Sequence, residues 1–524
     1  MTEKRNLSWV PVAIGAAAVA SLGGILYVYR DRALGSTPYK KNVPILEGAQ
    51  PLIGHANVLG PALQFHNDWR VAQMKKYGAV YQYSMPGQNL ITTHNVQDVE
   101  EVLKNPYIWP KAPDTKSALH DFLGDGIFNA DGDIWRSQRK VASNIFNVKN
   151  FRDLFTSVFI EESKKMVDQM FKAQQLGAII ELQDLLLRAT LDSFVQIAMG
   201  KNPGAISVNG QSVNGKFVME TESFMEAFDS ANNISCLRIF KPLWQIIDQF
   251  DGTASKQKHN MKVMEDFAKD VIAQKKVRLA AGHKGHDLLD LFMQAGNEDG
   301  SSLNETQMRD IVLNFIIAGR DTTAQTLSWT FWRLAKNPDV EKKCREELLA
   351  VLGKTGDYTY EKFALLKYNL ATFMESLRLH ANVPFNRKVA MQDTVLPGTN
   401  TPIQKGDMVD FIPYAMGVST EIWGADAAEF RPERWFDSNG GIINPNSFAF
   451  PHFNAGPRIC LGMNMAKQEA ITFMAAIIRN FSLELVNDDD PKHWGDFEHK
   501  LGRSSLALTL NAREGIEFKL HPIA

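Results

Sequence analysis

The sequence predicts a mainly α-helical protein with small β-sheets, on three observations. Long runs read as helix: 151–171, 304–335 from a cap at Asn304 with Gln307 three residues on, and 461–479, which holds no Gly or Pro after Gly462. The runs that read as strands are few and short, the first being 80–83 and 89–93 around Met85-Pro-Gly. At 524 residues the chain also exceeds a single core of about 250–300 residues, so a multi-lobed body able to enclose a large prosthetic group is expected. With 44% hydrophobic and 22% charged residues and a net charge of −2, nothing points to a nucleic-acid partner. Cys236, Cys344 and Cys460 are odd in number and widely spaced, which argues against a disulfide framework and for a reducing compartment. There is no internal repeat or low-complexity tract.

Taken in order, residues 1–6 form a short flank and 7–29 carry no charge, enough to span a hydrocarbon layer of about 30 Å as a helix. The stretch is expected to be a transmembrane anchor, a cleaved signal peptide being the rival. Arg30, Arg32, Lys40 and Lys41 outnumber Lys4 and Arg5, which leaves the rest of the chain in the cytosol. Pro38, Pro44, Pro51 and Gly54 make 30–54 an extended linker, and the body runs over 55–524. Helices are expected at 96–104, after Asp131, at 178–200 and at 217–249, the last two around a polar loop at 202–215. Trp135 and Arg139 lie i and i+4 apart and share one helix face, leaving Arg136, Lys140 and nearby Lys149 to solvent as a basic patch. His283 and His286, in a polar segment, read as solvated loop residues rather than metal ligands.

The long helix contains Ala318-Gly319-Arg320-Asp321-Thr322-Thr323. A helix-interior Gly costs about 1 kcal/mol against Ala, so something is expected to approach it closely. Ile311, Phe315, Ala318 and Thr322 fall on one face: apolar walls, a small residue, a hydroxyl. Further on, Glu375 and Arg378 form an i, i+3 pair, and 481–486, 506–510 and 516–520 read as a terminal hairpin.

The chemistry centres on Phe453-Asn-Ala-Gly-Pro-Arg-Ile-Cys460-Leu-Gly462. The cysteine sits just ahead of a helix N-terminus, where backbone N–H groups favour thiolate over thiol, and a thiolate is suited to holding a metal. Gly456 permits a turn closed to residues with a Cβ, Gly462 lets backbone pass against a flat neighbour, and Arg458 can reach a carboxylate at that neighbour's edge.

This F-x-x-G-x-R-x-C-x-G pattern resembles the haem-binding loop of the cytochrome P450 family, which implies that family's fold, with Cys460 as proximal ligand of the iron of haem b. Phe453, Gly456, Arg458 and Gly462 are the loop's other fixed positions. By the same resemblance Trp135 and Arg139 grip a haem propionate, with Arg387 a further contact. The helix carrying Ala318 lies over the haem, Thr322 bonds dioxygen or a water beside it, and Asp321 relays protons. Arg434, within a Trp423-to-Trp435 segment resembling another family motif, joins Glu375 and Arg378 in a structural network. The implied activity is a monooxygenase of microsomal type, anchored by one span in the endoplasmic reticulum membrane with its catalytic domain cytosolic. It inserts one oxygen atom from O2 into a C–H bond while the other leaves as water. No G-x-G-x-x-G follows a strand, so electrons are expected from NADPH through a separate flavoprotein reductase docking near Arg136 and Lys140. Phe122, Leu123, Ile127, Phe128, Phe315, Ile316, Val383, Phe385 and Leu506 occupy pocket-lining stretches and are apolar, which favours a lipophilic substrate. The 120–135 stretch and the Trp-Gly-x-Asp-Ala run resemble fatty-acid and alkane ω-hydroxylases of plants and fungi, implying hydroxylation of a fatty acid at or near its terminal methyl. Two rivals stand beside this: a thiolate-haem isomerase or dehydratase acting on lipid hydroperoxides, against which Asp321 and Thr322 speak, and a non-catalytic membrane-tethered haem sensor.

Overall fold

The computed structural model describes residues 10–282, 285, 287–296, 302–356, 358–486 and 501–523. His283 and His286 lie outside the described residues.

The body is organised on the long helix Glu305–Lys336. It starts where the cap predicts: Gln307 N–H donates to Asn304 Oδ1 and Asn304 N–H to Gln307 Oε1, both at 2.9 Å, satisfying two N–H groups the helix end leaves open. Its middle is buried on nearly every side by the helices Leu182–Met199, Lys367–Leu379 and Met463–Asn480. A Cβ at Gly319 would stand 1.8 Å from the Phe194 ring, so this glycine permits a close helix crossing with Leu182–Met199. The expected close approach is real, and the group that makes it is another helix.

Helix dominates, and the sheets are small and mixed. One runs Val80–Met85, Gln88–Thr93, Met408–Phe411, Asn386–Val389, its central pair parallel and its outer pairs antiparallel. A second runs Phe481–Val486, Glu517–Pro522, Ile179–Glu181, Lys216–Met219, Gly210–Val213. The terminal hairpin forms between Phe481–Val486 and Glu517–Pro522, whereas residues 506–510 are not a strand. They are held by side chains and isolated backbone bonds instead: Leu510 N–H to Asn382 O, and Trp329 Nε1–H to Leu510 O.

Two other expectations need correction. The 202–215 loop ends in a strand, because Asn214 and Gly215 both take positive φ (51° and 78°) and close a two-residue hairpin onto Lys216–Met219. The helix expected over 217–249 is three elements, Lys216–Met219, Ser223–Phe240 and Trp244–Phe250, broken at Pro242, which cannot donate to a helical carbonyl, and at Leu243, whose φ is 56°.

At the N-terminus, Val10–Val28 is helical, and Ile14, Val19, Leu22, Ile25 and Leu26 are exposed along it. Among the described residues no helix is long and apolar enough to cross a membrane; residues 7–9 of the expected span lie outside them. The expected linker is extended but docked. Leu46 N–H bonds Gln82 O (2.9 Å), Gln82 N–H bonds Pro44 O (2.8 Å), and Ala33, Val43 and Leu46 are buried, so packing reaches back to residue 33.

Candidate functional site: a single accessible cysteine and its surroundings

The cysteine loop is shaped by local bonds. Cys460 N–H donates to Phe453 O at 2.8 Å. Gly456 has φ 62°, and a Cβ there would lie 2.5 Å from Leu103 O, so the loop can sit against the end of helix Val96–Lys104 only with glycine at this turn. Helix Met463–Asn480 begins three residues after the cysteine. Of the three cysteines, Cys236 and Cys344 are buried, and Cys460 alone is accessible. Protein nonetheless surrounds its sulfur closely enough that burial raises the thiol pKa, opposed by the Gly462 N–H and the positive charge of Arg139. A Cβ at Gly462 would meet only Cys460 Sγ, at 3.9 Å, and Phe146, at 4.0 Å. The protein around it does not demand glycine at this position.

Trp135, Arg139 and Arg458 are brought together. The Arg458 guanidinium lies 4.3 Å from the Trp135 ring centroid and bonds Asp131 Oδ1 (2.6 Å) and Ala130 O (3.0 Å); Arg139 lies 5.9 Å from the same ring. Trp135 is buried while Arg136, Lys140 and Lys149 are exposed, as the helix spacing requires.

Three residues that sequence reasoning missed, Lys111, Lys116 and Lys388, complete this cluster. Lys111 and Lys388 face each other across an antiparallel bridge, and Lys116 stands 3.4 Å from Asp131. Burial first, then Lys388, Arg458 and Lys116, hold the Lys111 amine well below its ordinary value. Burial and Arg458 bring Lys388 down to about 8. Lys111, Lys116, Lys388 and Arg458 therefore crowd around one shared carboxylate, Asp131, and Arg139 adds its charge beside Arg458. That surplus fits a doubly anionic group such as the two propionates of haem. Arg387 does not join: its Nε bonds Asp410 Oδ1 and its Nη1 bonds Asp114 Oδ2, each at 2.7 Å. Adjacent residues of a strand point to opposite faces, so Lys388, and not Arg387, lies with this cluster.

On the long helix every side chain from Asp310 to Trp332 is buried except Ala318 and Thr322, one turn apart on one face. Thr322 Oγ1 bonds back to Ala318 O at 2.6 Å. Ile311 and Phe315, expected on the same face, are packed in the core, Phe315 against Phe292 at 5.8 Å. Asp321 is turned away and buried: Arg320 Nη1 donates to Oδ1 (2.8 Å), Asn232 Nδ2 to Oδ2 (2.9 Å) and Thr509 Oγ1 to Oδ2 (3.4 Å). Burial outweighs Arg320 and pushes its carboxyl up to about 6. Of the expected apolar wall, Val383 and Phe128 are exposed and Ile127 and Leu506 half-buried, whereas Phe122, Leu123, Ile316 and Phe385 are core; Phe122 packs on Phe228 at 5.0 Å and Phe385 on Phe240 at 5.2 Å.

The Glu375 carboxylate accepts from Arg378 Nη2 (2.7 Å) and Nε (2.9 Å), Arg434 Nε (2.8 Å), Arg431 N–H (2.9 Å) and Trp435 Nε1 (3.0 Å), and neither Glu375 nor Arg378 is exposed at all. The Arg378 carbonyl lies 3.1 Å from His452 Nε2, one residue before Phe453, so the network reaches the cysteine loop.

A mainly helical body, an accessible cysteine ahead of a buried helix and a cationic cluster suited to an anionic cofactor edge together define a haem-thiolate class of protein. The cytochrome P450 family model matches residues 44–507, and the chain belongs to that family, whose members are oxidoreductases acting as monooxygenases. It is 35% identical over 483 residues to cytochrome P450 monooxygenase cyp1 of Mycosarcoma maydis, covering 88% of this chain and 73% of that protein. It is 35% identical over 452 residues to cytochrome P450 86B1 of Arabidopsis thaliana (82% and 77%), and 33% identical over 458 residues to cytochrome P450 94A1 of Vicia sativa (84% and 85%). Family membership implies haem, electrons from a redox partner and a lipophilic substrate.

Proposed function

We propose that this monooxygenase hydroxylates fatty acids at or near the terminal methyl, with Cys460 as the axial ligand of haem b. The overall change is RH + O2 + 2 e⁻ + 2 H⁺ → ROH + H2O. When bound, thiolate-ligated haem supplies electron density that favours O–O cleavage. The chain's own residues do the rest. Trp135, Arg139, Arg458, Lys111 and Lys388 hold and orient the anionic edge of the cofactor. Thr322 offers a hydroxyl on the accessible face of the long helix, whereas Asp321, one residue away and with its carboxyl raised by burial, is held by Arg320, Asn232 and Thr509 and would relay a proton only where those contacts open. Val383, Ile127, Phe128 and Leu506 give the substrate an apolar surface that excludes water. The observation that carries this reading is the isolation of Ala318 and Thr322 as the accessible pair within the otherwise buried 310–332 stretch of the long helix.

The fatty-acid assignment draws on the 120–135 stretch, and its fold gives that stretch a structural part as well: Asp125 N–H bonds Asp310 Oδ2 and Phe128 N–H bonds Asn314 Oδ1, both at 3.0 Å, seating it on the long helix. Attachment to the endoplasmic reticulum membrane, with the body cytosolic, is supported by the exposed apolar side chains of Val10–Val28 and by Trp244–Phe250. That short helix turns Asp248 inward onto Arg238 (2.8 Å) and Lys241 (2.7 Å) and leaves Ile246, Ile247 and Phe250 outward, Phe250 86% exposed, the reverse of a helix built for water. An NADPH-dependent flavoprotein reductase docking on Arg136, Lys140 and Lys149 is the proposed electron source. Incubation with lauric to oleic acids, NADPH and reductase, read by mass spectrometry, should yield hydroxy acids; no product together with no spectral change on adding fatty acid would exclude the assignment.

A further inference from the structure

We propose that Asn382, which belongs to none of the motifs above, is the positioning residue for Thr322. The inference rests on the reading of Thr322 as the hydroxyl that serves the reaction.

Asn382 is buried in the connection between helix Lys367–Leu379 and strand Asn386–Val389. Its Nδ2 donates to the main-chain carbonyl of Thr322 and, at 2.9 Å, to Thr326 Oγ1. The orientation of this amide is fixed by chemistry, because a carbonyl only accepts and so must face the NH2 end. Thr326 Oγ1 in turn donates to the same Thr322 carbonyl at 2.8 Å. The three groups form a closed set in which each hydrogen of the amide has an acceptor and the Thr326 hydroxyl both gives and receives. The carbonyl after Thr322 is thus gripped from outside the helix, at the one turn whose side chains are accessible.

That grip bears on the hydroxyl through the backbone. Threonine is stiff at χ1, so the direction of Oγ1 follows the Cα–Cβ bond, which follows the peptide planes on either side. Thr322 Oγ1 has a competing acceptor in Ala318 O, and a hydroxyl left on its own turn serves nothing else. Fixing the 322 carbonyl holds the turn in the one geometry from which the hydroxyl can exchange Ala318 O for another partner. The main-chain carbonyl of Asn382 also receives Leu510 N–H at 2.9 Å, and Val383 beside it is 38% exposed. The same residue therefore ties the Thr322 turn to the 506–510 segment and to the accessible apolar surface.

The test compares N382D, which keeps the shape but loses the NH2 donors, with N382Q, T326V and T322A in the full-length haem-loaded enzyme. N382D should lower product formed per NADPH consumed about tenfold, with hydrogen peroxide released in its place, as expected for two lost hydrogen bonds. The carbon-monoxide difference band should be retained, and amide hydrogen exchange should accelerate in the 318–326 segment. N382Q, which keeps the donors on a longer arm, should fall between N382D and the parent. If T322A uncouples turnover while N382D shows parental coupling and exchange, the assignment to Asn382 is overturned and the reading of Thr322 survives. If T322A stays fully coupled, the reading of Thr322 fails, and with it any role for Asn382 in positioning it. Should N382D not load haem, T326V carries the test: it removes both bonds that the Thr326 hydroxyl makes in the set, and parental coupling and exchange in it would overturn the proposal.

Discussion

Exchanging Lys388 and Arg387 separately for methionine distinguishes two adjacent buried cations that the structure assigns to different work. Lys388 is 4% exposed and shares its surroundings with Lys111 and Arg458, and burial and Arg458 bring its amine down to about 8. Such a cation is costly to the protein alone and worth keeping where it meets a negative group. Two unit charges about 4 Å apart attract by about 4 kcal/mol at an effective dielectric near 20, and the other cations of the cluster would take up part of that loss in K388M. A net loss of about 2 kcal/mol corresponds to haem leaving about thirtyfold faster. Arg387, by contrast, joins Asp410 and Asp114 beside the sheet, so R387M takes a guanidinium from both carboxylates, Asp410 keeping Arg70 (3.5 Å) and the Tyr83 hydroxyl (2.9 Å), and should cost roughly 1–3 kcal/mol of folding stability. Transfer of haem to apomyoglobin measures the first effect and urea unfolding the second. K388M losing haem at the parental rate, or R387M losing haem faster than K388M at unchanged stability, would refute the assignment.

Three further outcomes are expected. E375Q leaves Arg378 as a buried cation without its carboxylate and Arg434 with Asp426 alone, and should destabilise the fold by roughly 3–5 kcal/mol in denaturant titrations, with a matching drop in haem loading. Burial pushes the Glu469 carboxyl, bonded by Ser193 and Thr323, up to about 8 against an ordinary value of 4.5. The folded protein thus keeps a proton that the unfolded chain releases, so this stabilisation is full below about pH 4.5 and is lost as the pH rises to about 8, by about 5 kcal/mol at most. E469Q should therefore melt close to the parent at pH 5 and increasingly above it toward pH 8.5, by differential scanning calorimetry. R136E combined with K140E should cut reductase-driven turnover and spare peroxide-driven turnover; an equal fall in both would remove the docking face from this patch.

What could be read from the chain alone was whatever short-range chemistry fixes. The capping box at Asn304 and Gln307, the i, i+4 placement of Trp135 and Arg139, the turn at Gly456 and the pairing of Glu375 with Arg378 all depend on neighbours within four residues, and each is in place. The terminal hairpin was half legible, because 517–522 alternates and pairs while 506–510 is held by Asn382 and Trp329 from elsewhere in the chain. The Asn-Gly turn at 214–215 was a readable signal, masked by the polarity of the loop around it, and Pro242 was a readable break in what looked like one helix.

Sequence by itself determined the family, the cysteine loop and the helix that carries Thr322, since each is written in a contiguous stretch whose residues act within their own turn. Tertiary structure decided which residues share a charge: Lys111 and Lys388 are 277 positions apart and meet only because one segment lies beside a strand of the other. It decided that Lys388 rather than Arg387 faces the cationic cluster, a matter of strand register, and that Gly319 yields to Phe194. It also decided that Asp321 is sealed by Asn232 and Thr509. Burial, like-charge crowding and exclusion of solvent arise between segments distant in the chain, so no reading of either segment alone contains them.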